Sequence, residues 1–268
     1  MKIAYRNNFG QEVDLLGEDF RLSASDLLGF GWTYDTVNTS GIAGPAISKV
    51  YKTVLEKELT LSAWAEKLNN LLKVTEPDIV AGTPGRLYVD EQYLSCYLIT
   101  GSPEYHASGF LVMSVKLVAA YPYWCSERRY VFSAGRSSSD EDYPYDYPYE
   151  YLSTLETDDL INAHYAPTPF RLYIYGPCVE PALYINNHLY QVHATLEENE
   201  YVIVDSRDRT LVKVDRDRSQ KNIFDSREKG SDIFAPIQSG SNPMVWDGTF
   251  FFDLVLIAER SVPVWTLS

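Results

Sequence analysis

Cysteine, histidine, basic side chains and long apolar runs are all scarce in this sequence, and each shortage removes a class of protein. Three cysteines in 268 residues, Cys96, Cys125 and Cys178, are too few and too scattered for a disulfide framework or a Cys-x-x-Cys metal knuckle. Their odd number suits buried thiols in a reducing compartment. The four histidines, His106, His164, His188 and His193, contain no i,i+4 pair for a helical metal site. His188 and His193 stand an odd number of residues apart, so one regular strand would point them to opposite faces. No Gly-x-Ser-x-Gly, His-Glu-x-x-His, Walker or Gly-x-Gly-x-x-Gly motif occurs, so no catalytic residue, cofactor or metal is expected. Lys and Arg number 23 against 37 Asp and Glu, a formal charge of −14. That balance argues against a protein that tracks nucleic-acid phosphates. No stretch approaches 18 apolar residues and MKIAYRNNFGQEVDLL lacks an apolar signal core, which predicts a soluble protein made in the cytosol with no membrane span.

What is abundant is tyrosine, 21 residues, within a 45% hydrophobic composition. Tyrosine suits pleated, half-buried surfaces and contacts wet at one edge, so the expectation is a mainly β protein that makes contacts. One segment has a helical period: from Thr60 on, Leu61, Trp64, Ala65, Leu68, Leu71 and Leu72 make one apolar stripe. Thr60 or Ser62 is the expected cap and Pro77 the expected stop. GRLYV (85–89) and QYLSCYLI (92–99) flank Asp90-Glu91 as a hairpin, and Leu111, Met113, Val115 and Leu117 share a strand face. Beyond YPYWCSERRYVF (121–132), the stretch 136–151 is polar, Pro-containing and holds a doubled Asp-Tyr-Pro-Tyr. It reads as a solvated insertion, or more pointedly as tyrosines on an extended backbone offered to a partner. Short strands follow from 170 to 257, separated by turn residues, as in a β-sandwich. The expected organisation is an N-terminal α+β domain over 1–131 and an all-β domain over 132–268.

The most charged stretch, YVIVDSRDRTLVKV (201–214), reads as a hairpin whose tip, Asp205 to Arg209, is solvated. Asp215, Asp217 and Ser219 match the start of a calcium loop, but Gln220 stands where glycine is needed and Ser226 where a bidentate glutamate is needed, so that reading fails. With so many carboxylates, some pair fits any loose glycosidase criterion, and none stands out. Tyr184, Tyr190, Trp246 and Trp265 on a sandwich would stack sugar rings if exposed, or fill the core if not.

The order of these features resembles the distal tail (Dit) proteins of long-tailed bacteriophages and related tail-like particles. The likeness is carried by LSAWAEKLNNLL, GRLYVDEQYLSCYLI and FLVMSVKLV ending in AAYPYW, then by APTPFRLYIYGPCVEPALYI, ENEYVIVDSRDRTLVKV and FAPIQSGSNPMVW. Asn199 departs from the family's usual glycine, Ser241 from an acidic residue beside Asn242, and 136–151 is longer than expected. The resemblance implies a virion structural protein at the tail tip, assembled in the host bacterial cytoplasm. It implies a hexameric ring of N-terminal domains (a sandwich or barrel with one helix and a hairpin) and C-terminal galectin-like β-sandwiches projecting outward. Implied partners are further copies of the chain, the tail tube protein, the tail hub or tape-measure end, and receptor-binding or peripheral baseplate proteins; no sequence-specific nucleic-acid binding is implied. Ring contacts are expected around 85–99 and 108–121, at Leu87, Tyr88, Tyr93, Tyr97, Met113, Tyr121 and Trp124. Tyr145, Tyr147 and Tyr149 are the candidates for docking a partner. The alternative is a carbohydrate-binding module acting in adsorption to the host surface.

Overall fold

The computed structural model describes residues 1–23, 27, 29–38, 40–41, 43–133 and 156–264, and for 105–107 and 156–158 the backbone alone. The fold is mainly β, as the composition indicates. The chain divides into two compact units, Met1–Ser126 with Glu259–Ser268, and Glu127–Ala258.

The first unit contains β1 (Ile3–Arg6), β2 (Glu12–Asp14), β3 (Phe20–Leu22), β4 (Thr33–Val37), β5 (Ala46–Tyr51) and β6 (Leu55–Trp64). Then come helix α1 (Ala65–Ala81), β7 (Gly85–Val89), β8 (Gln92–Ala107) and β9 (Phe110–Ala119). β10 (Trp124–Phe132) begins in this unit and ends in the second. Antiparallel pairing runs β2-β1-β7-β8-β9-β6-β3. The hairpin expected over 85–99 is present, with Gly85 opposite Cys96 and Val89 opposite Gln92. Leu87, Val89, Leu94, Leu117 and the helix residues Leu68 and Leu71 meet in one core.

The helix differs from the sequence expectation at both ends. Residues 60–64 belong to β6, where Leu59, Leu61 and Ala63 are buried at two-residue spacing and pair with β9. Leu61 therefore belongs to a strand period, not to the helical stripe it resembled. The N-cap is Trp64, with no side-chain capping bond, and the Ala65 N–H donates instead to the Gly109 carbonyl at 2.9 Å. Pro77 lies inside the helix. Its missing N–H costs one backbone bond, but the turn that holds it is pinned by the buried Asp78. The Asp78 carboxylate accepts the Tyr5 hydroxyl at 2.6 Å and the Asn8 N–H at 2.9 Å. The helix ends at Gly82, in the left-handed region at φ 64°, where its N–H and that of Thr83 close on Ile79 and Asp78 carbonyls.

The second unit holds β11 (Glu156–Asn162), β12 (Phe170–Tyr175), β13 (Cys178–Val179), β14 (Ala182–Ile185), β15 (His188–Gln191) and β16 (Thr195–Leu196). It continues with β17 (Tyr201–Asp205), β18 (Thr210–Val214), β19 (Gln220–Asn222) and β20 (Gly240–Trp246), and β21 (Phe251–Arg260) returns the chain to the first unit. One sheet runs β21-β12-β17-β18-β19 and another β11-β20-β14-β15. Phe170, Leu172, Val202 and Leu254 from the first meet Leu160, Leu183, Met244 and Trp246 from the second in a shared core. That is the sandwich the alternation in FRLYIY and YVIVD predicts. Asn199 sits at φ 66°, a conformation that glycine or asparagine accepts readily, so its departure from the family pattern leaves the turn intact.

Candidate interaction surfaces

Among the described residues no three His, Cys, Asp or Glu side chains gather as metal ligands, and the Asp215–Ser219 turn closes on itself through backbone bonds and the Asp217 carboxylate.

Of the seven residues expected at ring contacts, Leu87, Tyr93 and Trp124 are buried within the chain's own first unit. A neighbour would meet them only through the strands they hold in place. Tyr88, Tyr97, Met113 and Tyr121 are half-buried and keep part of each side chain at the surface. The Arg6 guanidinium lies 4.9 Å from the centre of the Tyr88 ring, Arg86 lies 4.2 Å from that of Tyr93, and Tyr121 donates to Glu259. Tyr145, Tyr147 and Tyr149 lie outside the described residues, as does Trp265. Tyr190 and Trp246 are buried in the core of the second unit, with the Tyr190 hydroxyl donating to the Ala235 carbonyl. Only Tyr184, 47% exposed, remains available for sugar stacking among the described members of that set.

The tip of the 201–214 hairpin is not the uniformly solvated loop that the sequence suggested. Asp205 is buried, accepting backbone N–H groups of Arg207 and Asp208 at 3.0 Å each and the Arg171 guanidinium at 2.7 Å. Ser206, also buried, exchanges bonds with Phe170 on β12. An Asx turn thus fastens the tip to its neighbouring strand, while Asp208 faces solvent. His193 sits between Glu228 at 2.9 Å and Glu180 at 3.5 Å. The Glu228 hydrogen bond is the main cause that raises its pKa above the usual 6.5. Burial pushes the Cys96 thiol up to about 12, and burial with nearby Asp247 pushes Cys178 up to about 11.

Two surfaces escaped the sequence reading. β4 and β5 form a ribbon that pairs with no other strand among the described residues. Tyr34 opposite Val50 and Thr36 opposite Ile47 share one face, while Asp35 opposite Lys49 and Thr33 opposite Tyr51 share the other. The polar face satisfies itself, Tyr51 bonding Asp35 at 3.3 Å and Lys49 lying over the Tyr51 ring. The apolar face does not: Tyr34, Ile47 and Val50 are 61%, 64% and 54% exposed. At its root Lys52 donates to the Pro122 and Ser261 carbonyls and lies over the Trp32 and Tyr123 rings. The signal for the ribbon was present as TYDTV and AISKVY on either side of a Gly/Pro/Ser/Asn stretch. The second surface is an apolar groove of about 170 Å³ between α1 and the β8–β9 pair, lined by Leu72, Ile79, Ile99 and Met113 with Glu76 among them. Leu72, Ile79 and Ile99 are each close to half exposed.

No family model matches the sequence, and no curated protein matches it. Solved structures do. The Dit protein of phage SPP1 (gp 19.1), described as a paradigm of the hub adsorption apparatus in phages infecting Gram-positive hosts, aligns over 96% of this chain and 99% of its own. Its identity is 10% and the TM-score 0.63. A chain of the phage P2 baseplate in its activated conformation with Ca aligns over 98% of this chain and 99% of its own, at 13% identity and TM-score 0.63. The same baseplate with Sr gives 13% identity and TM-score 0.60 over the same shares. The likeness extends through both units, so the protein has the fold of a phage Dit protein along almost its whole length.

Proposed function

We propose that the protein is a structural component of a phage tail tip, or of a phage-tail-like particle, in which six copies close into a hub ring between the tail tube and the baseplate. The observation that supports this most is the end-to-end match with the SPP1 hub protein and a baseplate chain, 96–98% of this chain against 99% of theirs. A chain that shares only one module with an assembly would match only in part. In this reading the first unit, Met1–Ser126 with Glu259–Ser268, builds the ring, and the second, Glu127–Ala258, forms a galectin-like domain that carries receptor-binding or peripheral proteins. The boundary thus falls a few residues before the 131/132 division expected from the sequence, and the chain's end returns to the first unit. Tyr88, Tyr97, Met113 and Tyr121 are the ring-contact candidates with surface to offer. Tyr145, Tyr147 and Tyr149 remain the proposed docking residues. The role is one of assembly, not catalysis, and the partners are further copies of the chain and other tail proteins.

The test is immunogold labelling of intact particles with an antibody against the protein. Label confined to the distal end of the tail is the expected result; label on the head, or along the full tube, would sink the proposal.

A further inference from the structure

We propose that the cleft formed by β10, β12 and β21 on the outward face of the second unit's sheet binds a neutral saccharide, stacked on Tyr173 and held by Arg129 and Glu127. The site goes beyond the hub reading and needs only the fold of that unit.

Strand alternation builds the face. Phe170, Leu172 and Ile174 of β12 are buried in the core, so Arg171, Tyr173 and Tyr175 point away from it. Register places Asp253 of β21 beside Tyr173 and Val255 beside Arg171, and β10 lies next to β21. Glu127, Arg129, Tyr173, Tyr175 and Val255 line a cleft of about 490 Å³. A cavity of roughly 150 Å³ accepts a benzene-sized ring, so the cleft has room for about two sugar rings.

Asp253 is the residue that strand packing alone does not call for. Aspartate is depleted in strands, and a buried carboxylate is costly unless paired. This one is buried and accepts both the Tyr175 hydroxyl, at 2.7 Å, and the Arg129 guanidinium. Arg129 nonetheless keeps 61% of its side chain exposed, so the buried acid fixes an arm that reaches the surface. On the same face Arg171 holds Glu127 at 3.3 Å and is itself held by Asp205 at 2.7 Å. Donors and acceptors therefore stand pre-set around the half-buried ring of Tyr173.

Each class of ligand meets these groups differently. Two arginines, Arg129 and Arg171, against three carboxylates, Glu127, Asp205 and Asp253, leave one net negative charge. An anion finds no net attraction there, within a chain that carries −14. A peptide that adds a strand needs a sheet edge, and β12 and β21 each have a neighbouring strand on both sides. A sugar ring offers an apolar face to the tyrosine. Its hydroxyls both donate and accept, which the carboxylate and the guanidinium answer separately.

The test is an array of neutral and acidic oligosaccharides probed with the labelled full-length protein and with Tyr173→Ala, Glu127→Ala and Tyr184→Ala, all matched by circular dichroism. The proposal expects neutral glycans to be retained in low and high salt alike. Affinity should fall about tenfold or more in Tyr173→Ala, fall also in Glu127→Ala, and stay unchanged in Tyr184→Ala. Retention of acidic glycans alone, lost in high salt, overturns the proposal, and so does retention of no glycan. Binding that keeps full strength in both Tyr173→Ala and Glu127→Ala overturns the site. Each of those results leaves the hub reading standing, because ring closure is read separately by electron microscopy of the same protein.

Discussion

The Tyr5 hydroxyl donates to the Asp78 carboxylate at 2.6 Å in the interior of the first unit, and this bond ties the first strand to the last turn of the only long helix among the described residues. Gly85 lies against both groups, and a Cβ there would collide with the hydroxyl and the carboxylate together. The Asn8 N–H and the Asn7 side chain, which donates to the Val74 carbonyl, complete the fastening. Burial, followed by the Asp78 hydrogen bond, pushes the Tyr5 pKa far up, so the phenol stays protonated and donating throughout the working range.

Tyr5→Phe removes one of the donors to a buried carboxylate and is expected to cost about 1–3 kcal/mol in urea unfolding. Gly85→Ala forces the same pair apart and should cost at least as much. A change below about 0.5 kcal/mol in both variants would mean the pair does not hold the helix.

Asp205 and Asp208 are three residues apart and should behave in opposite ways. Asp205→Ala strands two N–H groups and removes one of the Arg171 guanidinium's carboxylate partners, leaving it Glu127 at 3.3 Å, an expected loss of roughly 2 kcal/mol. Asp208→Ala touches an exposed side chain and should stay within about 0.5 kcal/mol of the wild type. Equal effects would contradict the turn geometry.

How far each of these was legible in the sequence differs for physical reasons. FRLYIY, GRLYV and YVIVD announce strands because one face of each is buried and the other is not, so burial writes a period of two into the residues. The helix start was obscured because the buried strand residues Leu59, Leu61 and Ala63 run straight into the helical stripe at Leu68 and Leu71. Asp205 looked like any hairpin-tip acid, since its importance depends on Arg171, 34 residues away. The ribbon was missed because neither of its faces is buried within the chain, so no burial pattern marks it. The groove was not legible because it exists only where the helix packs beside the β8–β9 pair, an arrangement that no local period records.

The thiols give a third prediction. Cys96 is fully buried with its pKa near 12, Cys125 is buried, and Cys178 is half-buried with its pKa near 11. Because the thiolate is the reactive form, a disulfide reagent at pH 7.5 should modify none of the three rapidly in the native protein and all three after denaturation. Fast native reaction of one thiol, lost in Cys178→Ser, would show that Cys178 is less shielded than the structure places it.

His193 supplies a pH marker. Its pKa is raised from 6.5 chiefly by the Glu228 hydrogen bond, with Glu180 adding attraction. A raised folded pKa means that the stabilisation is fully present below pH 6.5 and fades as pH climbs through the higher folded value. In an NMR titration the His193 ring should change protonation above pH 6.5 in the wild type and move back down in Glu228→Gln. A midpoint that Glu228→Gln leaves unmoved would contradict the assigned pairing.

The central claim is a closed hub ring, and electron-microscope class averages of the purified full-length protein across a concentration series, with native mass measured in parallel, test it most directly. Six copies around an open channel is the predicted result. Monomers at every concentration, or a closed assembly of any other number, would contradict it.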